Sequence, residues 1–142
     1  MLEPRRSTVL APHSLQARAV LTGSLVDIGG TIHAQIVTSL LAGLLATAGG
    51  ISVEASFAFY LINLVSGLFF TGFGGYTAAR TARYQPLQHA LFTGLISLAV
   101  SVALTIGTPG TFVLSWPVLL GLLSVVPIAL LGGWLAQAER EV

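Results

Sequence analysis

The sequence is short of charge and lacks two reactive residue types altogether. It contains no cysteine and no lysine, and only 8% of its 142 residues are charged. The absence of cysteine excludes disulfides and thiolate metal sites. Soluble domains average about 25% charged residues, so this chain cannot cover the surface of an ordinary soluble domain. Its arginines are scattered between apolar stretches, which argues against nucleic acid as a partner.

Long apolar stretches take the place of charge. Hydrophobic residues make up 54% of the chain, and its mean hydropathy is +0.88. A helix needs about 20 residues to cross a hydrocarbon core of about 30 Å. Four stretches qualify, at residues 19–48, 55–79, 87–106 and 112–136. Short connections containing Gly-Gly or Pro separate them, so neighbouring helices are expected to be antiparallel.

These features predict one all-α domain, an integral membrane four-helix bundle over residues 19–138. Residues 1–18 and 139–142 are expected to be tails on the cytoplasmic side. The orientation follows from the arginines, because basic residues in short loops stay in the cytoplasm. All six lie before the first stretch, between the second and third, or after the fourth: Arg5, Arg6, Arg18, Arg80, Arg83 and Arg140. Arg18, Arg80 and Arg83 are therefore the predicted cytoplasmic anchors.

Small and polar residues recur on one face of each predicted helix. In lipid such residues let helix backbones approach closely, so we interpret these faces as packing surfaces. A polar pathway through the bundle is the alternative, although a pathway usually needs several ionisable groups at depth. The predicted packing residues are Gly23, Gly30, Thr31, Ala34, Asn63, Gly67, Gly74, Thr93, Ser97, Gly121 and Gly132.

Asp27 is the strongest candidate for a functional side chain. If Arg18 marks the membrane edge, a rise of 1.5 Å per residue places Asp27 about 13 Å deep. A carboxylate at the bilayer centre costs about 2.5–3.5 kcal/mol, which makes it a candidate proton or ion site. In the alternative interpretation, the first helix enters the membrane near Ile28. Asp27 then lies at the interface, where Arg80 or Arg83 neutralises it.

Two histidines lie in or beside the predicted helices. His33 is a second candidate for the ion or proton site, although it lies about 120° from Asp27 around the helix. One ion cannot bind both from the same face, so a hydrogen bond to a neighbouring helix is the preferred role for His33. His89 begins the third helix, and we expect it to be solvated or to contact lipid headgroups.

The chain carries no recognisable catalytic motif. It has no His/Glu metal spacing, no phosphate-binding loop before a helix and no Gly-x-Ser-x-Gly turn. We therefore predict a protein that is not an enzyme and that uses no cofactor or metal.

Three segments resemble members of uncharacterised bacterial families of small four-helix membrane proteins. They are VDIGGT at residues 26–31, GGYTAAR at residues 74–80 and LQHALFTGL at residues 87–95. The resemblance implies a bacterial inner-membrane protein with four spans, and it brings no activity with it.

Two functions fit this sequence. The first is a non-catalytic accessory or structural role, in which the small-residue faces pack internally and against other membrane proteins. The alternative is a dimeric proton- or ion-coupled transporter or channel that uses Asp27. The expected partners are the lipid bilayer and either further copies of the chain or other membrane proteins.

Overall fold

The chain folds into four long helices in a computed structural model that describes residues 15–50, 56–107 and 116–141. They are α1 (Ala17–Gly49), α2 (Phe57–Thr81), α3 (Pro86–Gly107) and α4 (Trp116–Ala138). Each helix contains a segment that is long and apolar enough to cross a membrane. The prediction of an all-α protein is confirmed for the described residues, whose arrangement is consistent with a four-helix bundle. Four such helices indicate a multi-pass membrane protein.

Local sequence sets the helix ends. The Ser56 hydroxyl accepts a hydrogen bond from the Phe59 N–H at 3.2 Å, so α2 begins at Phe57. Gly50 ends α1 in the left-handed conformation, at φ 63°, which glycine adopts without steric cost. Pro86 opens α3, where its missing N–H costs no helical hydrogen bond. The predicted beginning of the fourth span at residue 112 lies outside the described residues.

The helices are not equivalent neighbours. α2 and α3 contact each other, and each of them also contacts both α1 and α4. Over the described ranges, α1 and α4 have no contact with each other. The bundle therefore has a central pair, α2 and α3, flanked on opposite sides by α1 and α4.

Burial divides the bundle into two halves along its length. We call residues 17–27, 71–82, 86–97 and 125–138 the closed half, because nearly all the buried side chains lie there. The remainder of the four helices is the open half, in which Ala42 is the only side chain described as buried. The closed half also contains the α2–α3 turn and the beginning of α1.

Large apolar side chains cover the outside of the helices. Leu25 and Leu123 are each 74% exposed, and Leu44 and Phe69 are each 65% exposed. Such continuous apolar surface is rare on soluble monomers and marks a surface that meets lipid or another protein. The core is correspondingly small and consists largely of alanine, with Ala79, Ala90 and Ala136 packed together beside Tyr76.

Candidate functional site

Close backbone contacts hold the closed half together. A methyl group added at Gly23 would lie 2.6 Å from both the Gly74 carbonyl oxygen and the Ala78 Cβ. A methyl group at Gly132 would collide with the backbone of Gly72. Only glycine permits these approaches between α1 and α2 and between α2 and α4.

The open half has looser contacts, even though several predicted packing residues lie in it. Phe70 covers Gly30, whereas the nearest atom to a methyl group at Gly67 would be Thr31 Cγ2, at 3.9 Å. A methyl group at Gly121 would meet Leu64 Cδ1 at 3.4 Å, and Ala34 is half-buried. Substitution of the glycines at 67 and 121 would therefore not force the helices apart.

A cleft of about 620 Å³ occupies the space between the four helices in the open half. Its walls include the half-buried side chains of Leu64, Leu68, Val100 and Leu122. Polar side chains from three helices also line it, and these are Thr31, Gln35, Tyr60, Asn63, Thr71, Ser97, Ser101 and Thr105. Asp27 also lines the cleft, at the point where it meets the closed half.

The Asp27 carboxyl group is buried and only partly hydrogen-bonded. Its side chain belongs to a residue that is 3% exposed, and Thr71 Oγ1 donates a hydrogen bond of 2.9 Å to its Oδ1. The other oxygen, Oδ2, has no hydrogen-bond partner within the described residues. Buried polar atoms are nearly always satisfied, and leaving one unsatisfied costs about 1–3 kcal/mol. Oδ2 is therefore a buried acceptor with unused hydrogen-bonding capacity beside the cleft.

Ser97 supplies a second free polar atom at the same place. It is 4% exposed, and its Oγ finds no partner in the part of the chain that the structure describes. The hydroxyl groups of Ser97 and Thr31 both lie near the Asp27 carboxyl group. Residues from α1 and α3 thus place several oxygen atoms together at the base of the cleft.

Among residues 15–50, 56–107 and 116–141, no arginine pairs with Asp27. Arg80 instead donates a hydrogen bond to the Tyr76 hydroxyl and pairs with Glu139 at 3.4 Å. Arg83 is exposed, and its backbone N–H donates to Gln16 Oε1 at 3.2 Å. Neither Arg80 nor Arg83 pairs with Asp27 in the described residues, so the neutralisation that the alternative interpretation expected is not observed.

The described arginines lie together at the closed end of the bundle. Arg18 is exposed near the beginning of α1. Arg140 Nη2 donates to the carbonyl oxygens of Ala79, Arg80 and Ala82 at 2.6–2.9 Å. These carbonyls lie at the end of α2, where helical partners run out, so Arg140 caps that helix.

His89 differs from its expected role, because it is buried rather than solvated. It is 2% exposed, and its Nε2 accepts a hydrogen bond of 2.8 Å from the Gln16 N–H. Its Nδ1 lies 3.0 Å from the Gln85 carbonyl oxygen, to which it donates when Nε2 is the acceptor. His89 thereby joins the beginning of α1 to the α2–α3 turn.

His33 lies apart from Asp27. It is exposed on the outer surface of α1 and does not line the cleft. The predicted hydrogen bond from His33 to a neighbouring helix is not found among the described residues. The two members of the predicted ion or proton site are therefore separate, and only Asp27 faces the cleft.

Two other predicted packing residues, Thr93 and Asn63, form hydrogen bonds of different kinds, one within a helix and one between helices. Thr93 is fully buried, and its hydroxyl donates to the His89 carbonyl oxygen within α3 at 2.9 Å. Asn63 Oδ1 lies 2.9 Å from the Thr38 hydroxyl, which joins α1 and α2 in the open half. The Thr93 hydrogen bond lies within α3, and the Asn63 hydrogen bond joins two helices. Asn63 also lines the cleft.

Thr71 is the site residue that sequence reasoning missed. It donates a hydrogen bond of 2.9 Å to the Asp27 carboxyl group and helps to fix its position. A signal was present, because Thr71 follows Gly67 by four residues and therefore shares the α2 face that includes Asn63 and Gly74. Gly75 and Gly133, which directly follow the predicted packing residues Gly74 and Gly132, were also missed as close-contact positions.

Comparison of the chain with protein-family models, curated proteins and solved structures finds no match.

Proposed function

We propose that the protein is a small membrane transporter or channel in which Asp27 binds a proton or a small cation. One observation carries the proposal: Asp27, a buried residue whose Oδ2 has no partner among the described residues, lines the base of the cleft. Ionisable residues within membrane helices face water-filled cavities and mark ion or proton pathways. This proposal corresponds to the sequence-based alternative, and the cleft is the feature that favours it.

The two halves give this proposal a mechanism. The open half provides access to Asp27, and the closed half blocks the way onward through contacts such as Gly23 with Gly74. Passage to the arginine end then requires the helices of the closed half to move apart while those of the open half approach. Such alternating access around a fixed site is the usual behaviour of small transporters.

We also propose the membrane orientation predicted from the sequence, with antiparallel neighbours and both termini in the cytoplasm. Contacts between α1 and α2 support the antiparallel arrangement, since Gly23 meets Gly74 whereas Thr38 meets Asn63. The shared position of the arginines at the closed end supports the orientation. The bacterial inner membrane remains a prediction based on the resemblance of the three sequence segments.

The absence of cysteine allows a direct test of orientation. We expect the Gln85→Cys variant, in the α2–α3 turn, to be protected from an impermeant thiol reagent added outside intact cells. The Gly107→Cys variant, at the opposite end of α3, is the matched control and should be labelled. Labelling at residue 85 with protection at residue 107 would reverse the proposed orientation.

The accessory role predicted from the sequence is the second candidate function. It is favoured by an exposed line on α1, where Gly29 and Gly43 have no atom within 4 Å of an added methyl group. Ile36 lies between them, 53% exposed, at the same heptad position. Such a face lets a helix of another copy, or of another membrane protein, pack closely.

Reconstitution into liposomes separates the two functions. We expect purified protein to conduct protons or sodium ions down an imposed gradient, and Asp27→Asn to abolish the flux. Glu139→Gln is the matched control, since it removes an exposed carboxylate outside the cleft. No flux from folded wild-type protein, or equal flux from Asp27→Asn, would reject the transport proposal and leave the accessory role.

A further inference from the structure

The size of the cleft points to an organic ligand in addition to any proton or ion. At about 620 Å³ it falls within the range of about 300–1,000 Å³ that is usual for small-molecule sites. A water molecule takes up only about 30 Å³ in the liquid. A bare cation would therefore fill only a small part of the cleft.

The base of the cleft selects the charge of that ligand. Asp27 Oδ2 is a pure acceptor when ionised, and Ser97 Oγ accepts as well as donates. Both atoms are buried and without partners in the described residues. No lysine, arginine or histidine is among the described residues that line the cleft. The base therefore suits a cation that carries N–H donors and disfavours an anion.

The walls select the remainder of the molecule. Leu64, Leu68, Val100 and Leu122 offer apolar surface beside the polar base. Tyr60 is the aromatic residue among the described lining side chains, and it is 55% exposed. Tyr60 precedes Thr71 by eleven residues, which corresponds to about 16 Å along α2. It is therefore far from the Thr71 hydroxyl that donates to Asp27. The described part of the chain therefore forms no aromatic cage, of the type that binds quaternary ammonium groups, around the carboxylate.

We propose that the cleft binds a protonated primary or secondary amine with an apolar body, whose ammonium group donates hydrogen bonds to Asp27 Oδ2 and Ser97 Oγ. The apolar body contacts the leucine and valine side chains toward the mouth. This inference rests on the proposed function, because it uses the same carboxylate. One carboxylate cannot hold a proton and an ammonium group at once, so amine and proton compete for Asp27.

Calorimetry on the protein in phosphatidylcholine nanodiscs tests this assignment, with empty nanodiscs as the reference for partitioning. The probe is 2-phenylethylamine, and its N,N,N-trimethyl derivative carries the same charge without N–H donors. We expect the trimethyl compound to bind at least about tenfold more weakly, since it loses the charge-assisted hydrogen bonds. Equal affinity for the two compounds would overturn the proposal.

Variants locate the binding site. Asp27→Asn should weaken amine binding at least about tenfold, and Ser97→Ala about threefold to tenfold. Glu139→Gln and Ser39→Ala are matched controls outside the cleft and should bind as the wild type does. Unchanged amine affinity in both cleft variants would show that the amine binds elsewhere.

The outcomes distinguish this inference from the transport proposal. Flux that depends on Asp27, without binding of 2-phenylethylamine, would reject the ligand class and retain transport. Binding that depends on Asp27, without any flux, would retain the amine site and reject transport.

Discussion

The closed and open halves are built from the same four helices but differ in how closely those helices approach. In the closed half, Gly23, Gly74 and Gly132 bring backbones into contact. In the open half, Gly67 and Gly121 face space or flexible side chains, and a cleft replaces the core. Small residues that face each other across an interface therefore bring helix backbones into contact, whereas Gly30 meets the large ring of Phe70 instead.

Asp27 lies where the two halves meet, and its surroundings combine features of both. Its Oδ1 accepts a hydrogen bond from Thr71 in the closed half, whereas Oδ2 is buried without a hydrogen-bond partner among the described residues. A single carboxyl group is thus held in position by one oxygen, while the other keeps unused hydrogen-bonding capacity. This arrangement suits a binding site whose side chain must be held rigidly.

The largest expected effect separates glycines of the two halves. Gly132→Ala should destabilise the protein by up to about 3 kcal/mol, because its methyl group would collide with the α2 backbone. Gly43→Ala, in the open half, meets no atom within 4 Å and should stabilise α1 by about 0.5–1 kcal/mol. Unfolding free energies in mixed detergent micelles would measure both, and equal effects would contradict the division.

A smaller difference in unfolding free energy should distinguish substitutions of His89 and His33. His89→Ala should cost about 1–2 kcal/mol, because it removes the acceptor of the Gln16 N–H and the contact with Gln85. His33→Ala should change stability by no more than about 0.5 kcal/mol, since the side chain is exposed. The same unfolding assay applies, and a larger loss at residue 33 would refute the assigned roles.

The smallest expected effect separates the two hydroxyls beside Asp27. Thr71→Val should destabilise the protein by about 1 kcal/mol, because a hydrogen bond between helices is lost. Ser97→Ala should stay within about 0.5 kcal/mol of wild type, because the Ser97 Oγ has no hydrogen-bond partner among the described residues. If Ser97→Ala proves the more damaging of the two, its hydroxyl supports the fold and is not reserved for a ligand.

The sequence predicted the helices more successfully than the site. Four apolar stretches of sufficient length predicted four helices, because that signal depends only on local composition. The small-residue pattern of α1 indicated a face that contains Gly23 and Asp27, and the structure buries both residues. Periodicity along one helix thus indicates which side packs.

The cleft could not be predicted, because it depends on how far apart the helices lie. Gly67 and Gly74 look alike in sequence, yet only Gly74 is in tight contact with another helix. The burial of His89 had no local signal either, because its partner Gln16 is 73 residues away in the chain. Such contacts between distant residues emerge only from the assembled bundle.

The central claim is that a cleft opening away from the arginine end leads to Asp27, and cysteine accessibility tests it most directly. Ser101 lines the cleft, whereas Ala99 is exposed on the outer surface of the same helix. We predict that the Ser101→Cys variant reacts with an impermeant cationic thiol reagent added from the side opposite the arginines, and that Ala99→Cys stays unreactive. Equal reactivity at both positions, or reaction of Ser101→Cys only from the arginine side, would contradict the account.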